Sequence, residues 1–190
     1  MIGIIYAGGQ SKRFGQDKAL FKVPKLAAPN VQIAAENLQA ICAKVIVCAN
    51  EKNQVQIKQR LLSMNNIQVI TDLPAFSQHG PLSAIVACTA QFKGTHDFIT
   101  LAADYPYITS KTLQRLAQKP FSYISTSNHD HYTLAHFSIS HEAVMAWLLA
   151  ENDWRLGDFL IKKCGCRSLD CNTNDEFLNL NYWEVDTNEK

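Results

Sequence analysis

The chain opens with an apolar run, Ile2 to Ile5, and short runs of the same kind recur at Val45-Ile-Val-Cys48, Ile67-Gln-Val-Ile70 and Phe98-Ile-Thr-Leu-Ala102. Apolar runs this short predict strands buried on both faces. Between them the apolar positions fall at helical spacing. Val31, Ala34, Ala35, Leu38, Ile41 and Cys42 predict a helix with Pro29 in its first turn. Ile57, Leu61 and Leu62 give one apolar side to the polar stretch Glu51 to Leu62, and Leu82, Ile85 and Cys88 or Thr89 continue the pattern after the Gly80-Pro81 break. Thr109 or Ser110 stands where a cap is needed for a helix through Leu113 and Leu116. Strands alternating with helices over the first ~125 residues require crossover connections and hence parallel pairing. The predicted fold is α/β and Rossmann-like, one doubly wound, mostly parallel sheet with helices on both faces.

Beyond that point Leu134, His136 and Ile139 predict an added strand within Tyr132 to Ile139. A helix follows from Glu142 to Leu149, anchored by Trp147, and then a short helix from Arg155 to Lys163. No internal repeat, low-complexity run or linker interrupts the chain. Residues 1–190 are therefore expected to form a single domain, as 190 residues with 47% hydrophobic content suit one sizeable core.

Lys and Arg number 18 against 17 Asp and Glu, so no global field draws the chain to nucleic acid or an acidic membrane, and an anionic ligand must be met by a local site. The six cysteines are scattered through apolar segments with no secretory leader or membrane span, the pattern of reduced cytoplasmic thiols. Cys164-Gly-Cys166, with Asp170 and Cys171, matches no common zinc spacing and reads as buried small hydrophobes.

The polar signals fall just after the predicted strands, where open α/β sheets bind ligands. Tyr6-Ala-Gly-Gly-Gln-Ser-Lys-Arg-Phe-Gly-Gln-Asp-Lys18 joins two adjacent glycines, which let backbone approach an anion, to the cations Lys12, Arg13 and Lys18. Asp72 follows the third strand, and Asp104 follows the fourth, ahead of Tyr105-Pro106. A carboxylate held at a strand tip suits Mg²⁺, which takes one or two carboxylates plus substrate phosphates and water; the competing reading of Asp104 is a turn residue before proline. His79-Gly80-Pro81 opens a helix, and His129-Asp-His131 reads as loop polarity ahead of metal ligation. The first loop is neither a Walker A sequence nor Gly-x-Gly-x-x-Gly, which disfavours hydrolysing NTPases and nicotinamide enzymes.

Taken whole, Tyr6 to Lys18 resembles the signature of the sugar-nucleotidyltransferase-like superfamily in the version found in molybdenum cofactor guanylyltransferases, Leu-Ala-Gly-Gly-x-Ser-x-Arg-Met-Gly-x-Asp-Lys. Gly80-Pro81-Leu82, Ala103-Asp104-Tyr105-Pro106, Asp130-His131-Tyr132-Thr133 and Phe177-Leu-Asn179-Leu-Asn181 resemble that family's later motifs in the same order. Tyr6, Phe14, Cys48, Ala102, Ala103 and Tyr132 depart from its usual residues, and its Gly-Lys-Pro segment has no counterpart in Val23 to Pro29.

The resemblance implies transfer of GMP from GTP to the terminal phosphate of molybdopterin, with release of pyrophosphate, in the cytoplasm. It assigns GTP to Tyr6, Ala7, Gly8, Gly9, Lys18, Asp72 and Asp104, catalysis to Arg13, Lys18 and Asp104, Mg²⁺ to Asp104, and molybdopterin to Asn179 and Asn181. It implies as further partners a molybdoenzyme or chaperone that receives the cofactor, and neither nucleic acid nor membrane. The same first loop also serves a cytidylyltransferase acting on the same pterin or a sugar-phosphate nucleotidyltransferase, and a non-catalytic carrier of nucleotide or cofactor is the alternative from outside enzymology.

Overall fold

The computed structural model describes residues 1–9, 14–24, 26–77, 79–151, 153–171 and 175–178. Seven strands form one sheet in the order β3-β2-β1-β4-β6-β5-β7. They are β1 (Ile2–Tyr6), β2 (Lys44–Ala49), β3 (Ile67–Thr71), β4 (Thr95–Ala102), β5 (Ser122–Thr126), β6 (His129–Ser140) and β7 (Arg167–Asp170). The first four are parallel, β6 runs antiparallel between β4 and β5, and β7 pairs parallel to β5. The expected doubly wound, mostly parallel sheet is what the chain forms.

Side-chain alternation along the central strands builds two cores. On one face Ile5, Val45, Val47, Ile99 and Leu101 pack with α1 (Asn30–Gln39) and α4 (Ser110–Ala117) through Val31, Leu38, Leu113 and Leu116. On the other, Ile4, Ile46, Cys48 and Phe98 pack with α3 (Pro81–Thr89) and α5 (His141–Glu151) through Leu82, Ile85, Val144 and Trp147. Burial on both faces is why these strands read as unbroken apolar runs. A short helix, α2 (Gln54–Arg60), follows β2, and Leu156–Asp158 continues into one wide helical turn, Phe159–Lys163. Thr109 is the observed cap of α4, its Oγ1 accepting from Thr112 N at 3.3 Å, while Pro29 sits one position ahead of α1.

Two strands depart from the expected pattern. β5 and β7 carry few apolar residues, and β7 lies largely exposed at the sheet edge, so neither has a hydrophobic run to announce it. The added strand begins at His129 rather than Tyr132, which moves His129-Asp-His131 from a loop into β6. Between β5 and β6 the register jumps from Tyr123↔Ala135 to Ile124↔His131, leaving Tyr132, Thr133 and Leu134 as a bulge. The buried Thr100 hydroxyl stitches this bulge to β4, accepting from Ala135 N at 3.2 Å and donating to Thr133 O at 3.1 Å. Bulges of this kind re-aim side chains, and here Tyr132 and Thr133 reach the cleft described next.

Candidate functional site

The carboxyl ends of β1 to β4 and the amino end of β6 open onto a cleft of about 1680 Å³. β1 lies at its floor because it is central in the parallel half of the sheet. Tyr6 O accepts from Ala103 N at 3.1 Å and Ala7 N donates to Cys48 O at 2.9 Å, so the chain leaves the sheet only at Gly8. The amide of Ala7 is thus bonded to β2, while the residue itself lines the cleft. Tyr6 lines the cleft at the end of β1, but its hydroxyl is buried near Cys48, Cys88 and Cys164, and desolvation pushes its pKa far up.

A Cβ placed on Gly8 would make ordinary contact with Ala49, 3.4 Å away, and one on Gly9 would meet no described atom within 4 Å. Neither glycine is required by crowding among the described residues. Each instead leaves backbone bare towards the cleft, where an anion can approach it.

The segment that returns from the loop is held by side chains. Asp17 accepts from Ala19 N at 2.9 Å and Leu20 N at 3.3 Å through Oδ1, and from Asn53 Nδ2 at 2.8 Å through Oδ2. Asn30 Nδ2 donates to Lys18 O at 2.8 Å. These bonds present Lys18, whose Nζ lies 3.4 Å from Asp104 Oδ2 and 5.9 Å from the ring centre of the buried Phe14. The two charged side chains are 17% and 25% exposed, so the ion pair sits at the cleft wall within reach of a ligand. Residues 86 positions apart in sequence thereby become one site.

Asn50 and Asn53, just beyond β2, form the part of this site that sequence reasoning missed. Asn53 is 2% exposed and donates Nδ2 to Ala7 O as well as to Asp17 Oδ2, each at 2.8 Å. Asn50 donates to Gly8 O at 3.1 Å, and the two asparagines bond reciprocally, Asn50 N to Asn53 Oδ1 and Asn53 N to Asn50 Oδ1. The pair pins the glycine loop to the Asp17 turn. The available signal was Asn50-x-x-Asn53 directly after a buried strand, since such side chains satisfy local backbone groups at strand ends.

Across the cleft, Asp72 follows β3 and lines the wall, and its charge adds to the burial that pushes the Cys48 thiol up. His79 does not stand alone at the start of α3: its ring stacks on Trp154 at 3.9 Å, and its amide donates to Ser83 Oγ. Tyr132 donates to Asp130 Oδ2 at 3.1 Å and lies against Gly157. His131 is buried and bonded to Tyr105 and Thr126 rather than presented for ligation. Arg13, Asn179 and Asn181 lie outside the described residues. The segment leading to the asparagines is anchored by Glu176, which accepts from Thr109 Oγ1 at 3.0 Å and Thr112 Oγ1 at 2.7 Å, and by the buried ring of Phe177.

The model of the MobA-like NTP transferase domain family matches residues 3–160. The chain belongs to this family. Among curated relatives, the molybdenum cofactor guanylyltransferase of Rhodobacter capsulatus is 28% identical, the alignment covering 81% of this chain and 77% of the relative. That of Campylobacter jejuni subsp. doylei is 25% identical across 95% of this chain and 91% of its own. In fold the chain is similar to a nucleotidyl transferase from a Methanothermobacter species (TM-score 0.69, 14% identity, 95% of this chain and 91% of that one). It is also similar to the molybdopterin-guanine dinucleotide biosynthesis protein A of Archaeoglobus fulgidus (TM-score 0.64, 14% identity, covering 96% and 93%). This MobA-like chain is a nucleotidyltransferase, and the cleft above the glycine loop is its candidate active site.

A divalent cation of the kind nucleotidyltransferases typically use would find a candidate carboxylate at the end of β4. Asp104 is a partly exposed carboxylate on the cleft wall, and among the described residues no group of three or more His, Cys, Asp or Glu side chains is arranged to hold a metal ion. That donor set fits Mg²⁺, which completes its shell with substrate oxygens and water, and does not fit zinc. Cys164 and Cys166 lie in one core and Cys171 in the other, all three buried, as the sequence reading favoured. Burial pushes the Cys166 thiol up to about 12, so it stays protonated. Among the described residues no helix is long and apolar enough to cross a membrane.

Proposed function

We propose that this nucleotidyltransferase transfers GMP from GTP to the terminal phosphate of molybdopterin and releases pyrophosphate. The observation that carries the reading is the juxtaposition of Lys18 and Asp104 beside the bare backbone of Gly8 and Gly9. A triphosphate with its cation needs an ammonium for its phosphate oxygens and a carboxylate for the metal at one place. The choice of GTP and molybdopterin rests on the guanylyltransferase names of the relatives.

In this reading Gly8 and Gly9 admit the nucleotide, and Asp72 contacts it from the neighbouring strand end. Lys18, with Arg13, neutralises the triphosphate and then the departing pyrophosphate, where charge develops in the transition state. Asp104 would hold Mg²⁺, which when bound would screen the phosphate charges. Asn179 and Asn181 belong to the pterin side. No protein nucleophile is needed: a molybdopterin phosphate oxygen attacks the α-phosphorus in line, and positioning with fixed charge supplies the catalysis. The reaction takes place in the cytoplasm and delivers its product to a molybdoenzyme or its chaperone.

The test is Mg²⁺-dependent pyrophosphate release in the presence of molybdopterin, with GTP, CTP and ATP in parallel. Release with GTP alone is expected. Preference for CTP makes the chain a cytidylyltransferase, release only when a sugar phosphate replaces the pterin changes the acceptor, and tight nucleotide binding without release makes it a carrier.

A further inference from the structure

We propose that His131 is a positioning residue, an imidazole joint that fixes the Asp104 turn against β6 and the Phe177 segment. It rests on the reading of Asp104 as the cation ligand. Tyr105, the residue after Asp104, is buried, and its hydroxyl lies 3.0 Å from His131 Nδ1. On the other side of the ring Nε2 lies 3.3 Å from Thr126 Oγ1, whose hydroxyl donates to His129 O at 3.2 Å. With that hydroxyl proton directed at a carbonyl, Thr126 can only accept from His131. Nε2 therefore carries the proton, and Nδ1 accepts from Tyr105.

Phe177 lies against the same imidazole, ring centres 5.0 Å apart at 31°, and His129 meets it edge-on at 5.0 Å. Burial and the neighbouring His129 favour the neutral ring, with Asp130 pulling the other way.

The consequence for Asp104 is geometric. Ala103 N is bonded to Tyr6 O on one side of it and Tyr105 N to Ala102 O on the other, which closes the turn on β1 and β4. The Tyr105 side chain adds the third support, on β6. With its backbone held at three points, Asp104 keeps only its own side-chain torsions. A supporting bond of this kind is what holds a ligating carboxylate in place before its cation arrives.

The experiment uses the full chain, with Mn²⁺ as probe. Mn²⁺ affinity is measured by electron paramagnetic resonance with a non-hydrolysable GTP analogue, alongside ¹⁵N spectra of the imidazoles and thermal unfolding. Tyr105→Phe and His131→Leu are expected to weaken Mn²⁺ binding about fivefold to tenfold, the equivalent of one net hydrogen bond. His131→Asn, which keeps an acceptor where Nδ1 stands, is expected to remain within about twofold of the parent. The parent spectrum should show His131 protonated on Nε2, and Tyr105→Phe should shift its Nδ1 resonance. Should His131→Leu fail to fold, Tyr105→Phe and the spectrum decide. Unchanged Mn²⁺ affinity in Tyr105→Phe, or a proton on Nδ1 in the parent, overturns the proposal. A parent that meets both expectations yet releases no pyrophosphate from any triphosphate refutes the proposed transferase reaction and leaves the joint standing.

Discussion

Replacing Asn53 by alanine removes the clamp between the glycine loop and the turn that presents Lys18. The truncation takes away bonds to Ala7 O, Asp17 Oδ2 and Asn50 N, all at 2.8 to 2.9 Å, from a side chain 2% exposed. Two neutral bonds at about 1 kcal/mol each and one to a carboxylate at about 1.5–3 kcal/mol set a gross loss near 4 kcal/mol. Water entering beside the half-buried Asp17 recovers part of it, leaving about 2–3 kcal/mol of destabilisation. For a chain of this size that lowers Tm by roughly 4–12 °C. Thermal unfolding reads this term, and steady-state pyrophosphate release reads the other expected effect, a raised KM for the triphosphate as Lys18 loses its fixed position. Asn53→Asp separates charge from shape, because a second carboxylate against Asp17 Oδ2 replaces attraction by repulsion and should cost more than alanine. A variant Asn53→Ala that unfolds within about 0.5 kcal/mol of the parent and keeps its KM would refute the argument that these bonds hold the loop.

Lys18→Ala should raise the KM for the triphosphate roughly 10- to 150-fold, the value of one charge-assisted interaction of about 1.5–3 kcal/mol; equal kinetics would exclude that role. Asp104→Ala should abolish cation-dependent turnover while circular dichroism shows the parent fold, since its carboxylate is partly exposed at the cleft wall. Gly157→Ala would place a Cβ 2.8 Å from Tyr132 Cε2 and 2.9 Å from Cζ, in a ring tethered to Asp130. Denaturant unfolding should show the cost of overpacking, about 1–3 kcal/mol. His136, buried with Nδ1 3.2 Å from Leu116 O, has its pKa lowered from 6.5 by burial, against the opposing pull of that carbonyl and of Asp97. The unfolded chain therefore binds the proton more readily than the folded one, and this contribution is full above 6.5 and lost as pH falls through the lowered folded value. Melting temperature should fall from about pH 7 to about pH 5, and the fall should be smaller in His136→Gln.

The parallel half of the sheet was legible in the sequence because strands buried on both faces must be apolar throughout, and helices covering them must repeat at their own period. Gly8, Gly9, Asp72 and Asp104 could be placed at strand ends for the same reason, since each follows such a run directly. β5 and β7 escaped notice because strands at or near an edge need little apolar surface, and their pairing depends on backbone bonds that no side chain encodes. The register jump that turns Tyr132 and Thr133 into the cleft is likewise a property of the assembled sheet. Local sequence thus determined which residues carry charge and where the chain turns. Only the tertiary structure decided that Lys18 meets Asp104, that Asn53 grips both ends of the glycine loop, and that His131 stands behind Tyr105. Those contacts join residues 26 to 86 positions apart, and their partners are selected by strand order, which hydrophobic periodicity leaves open.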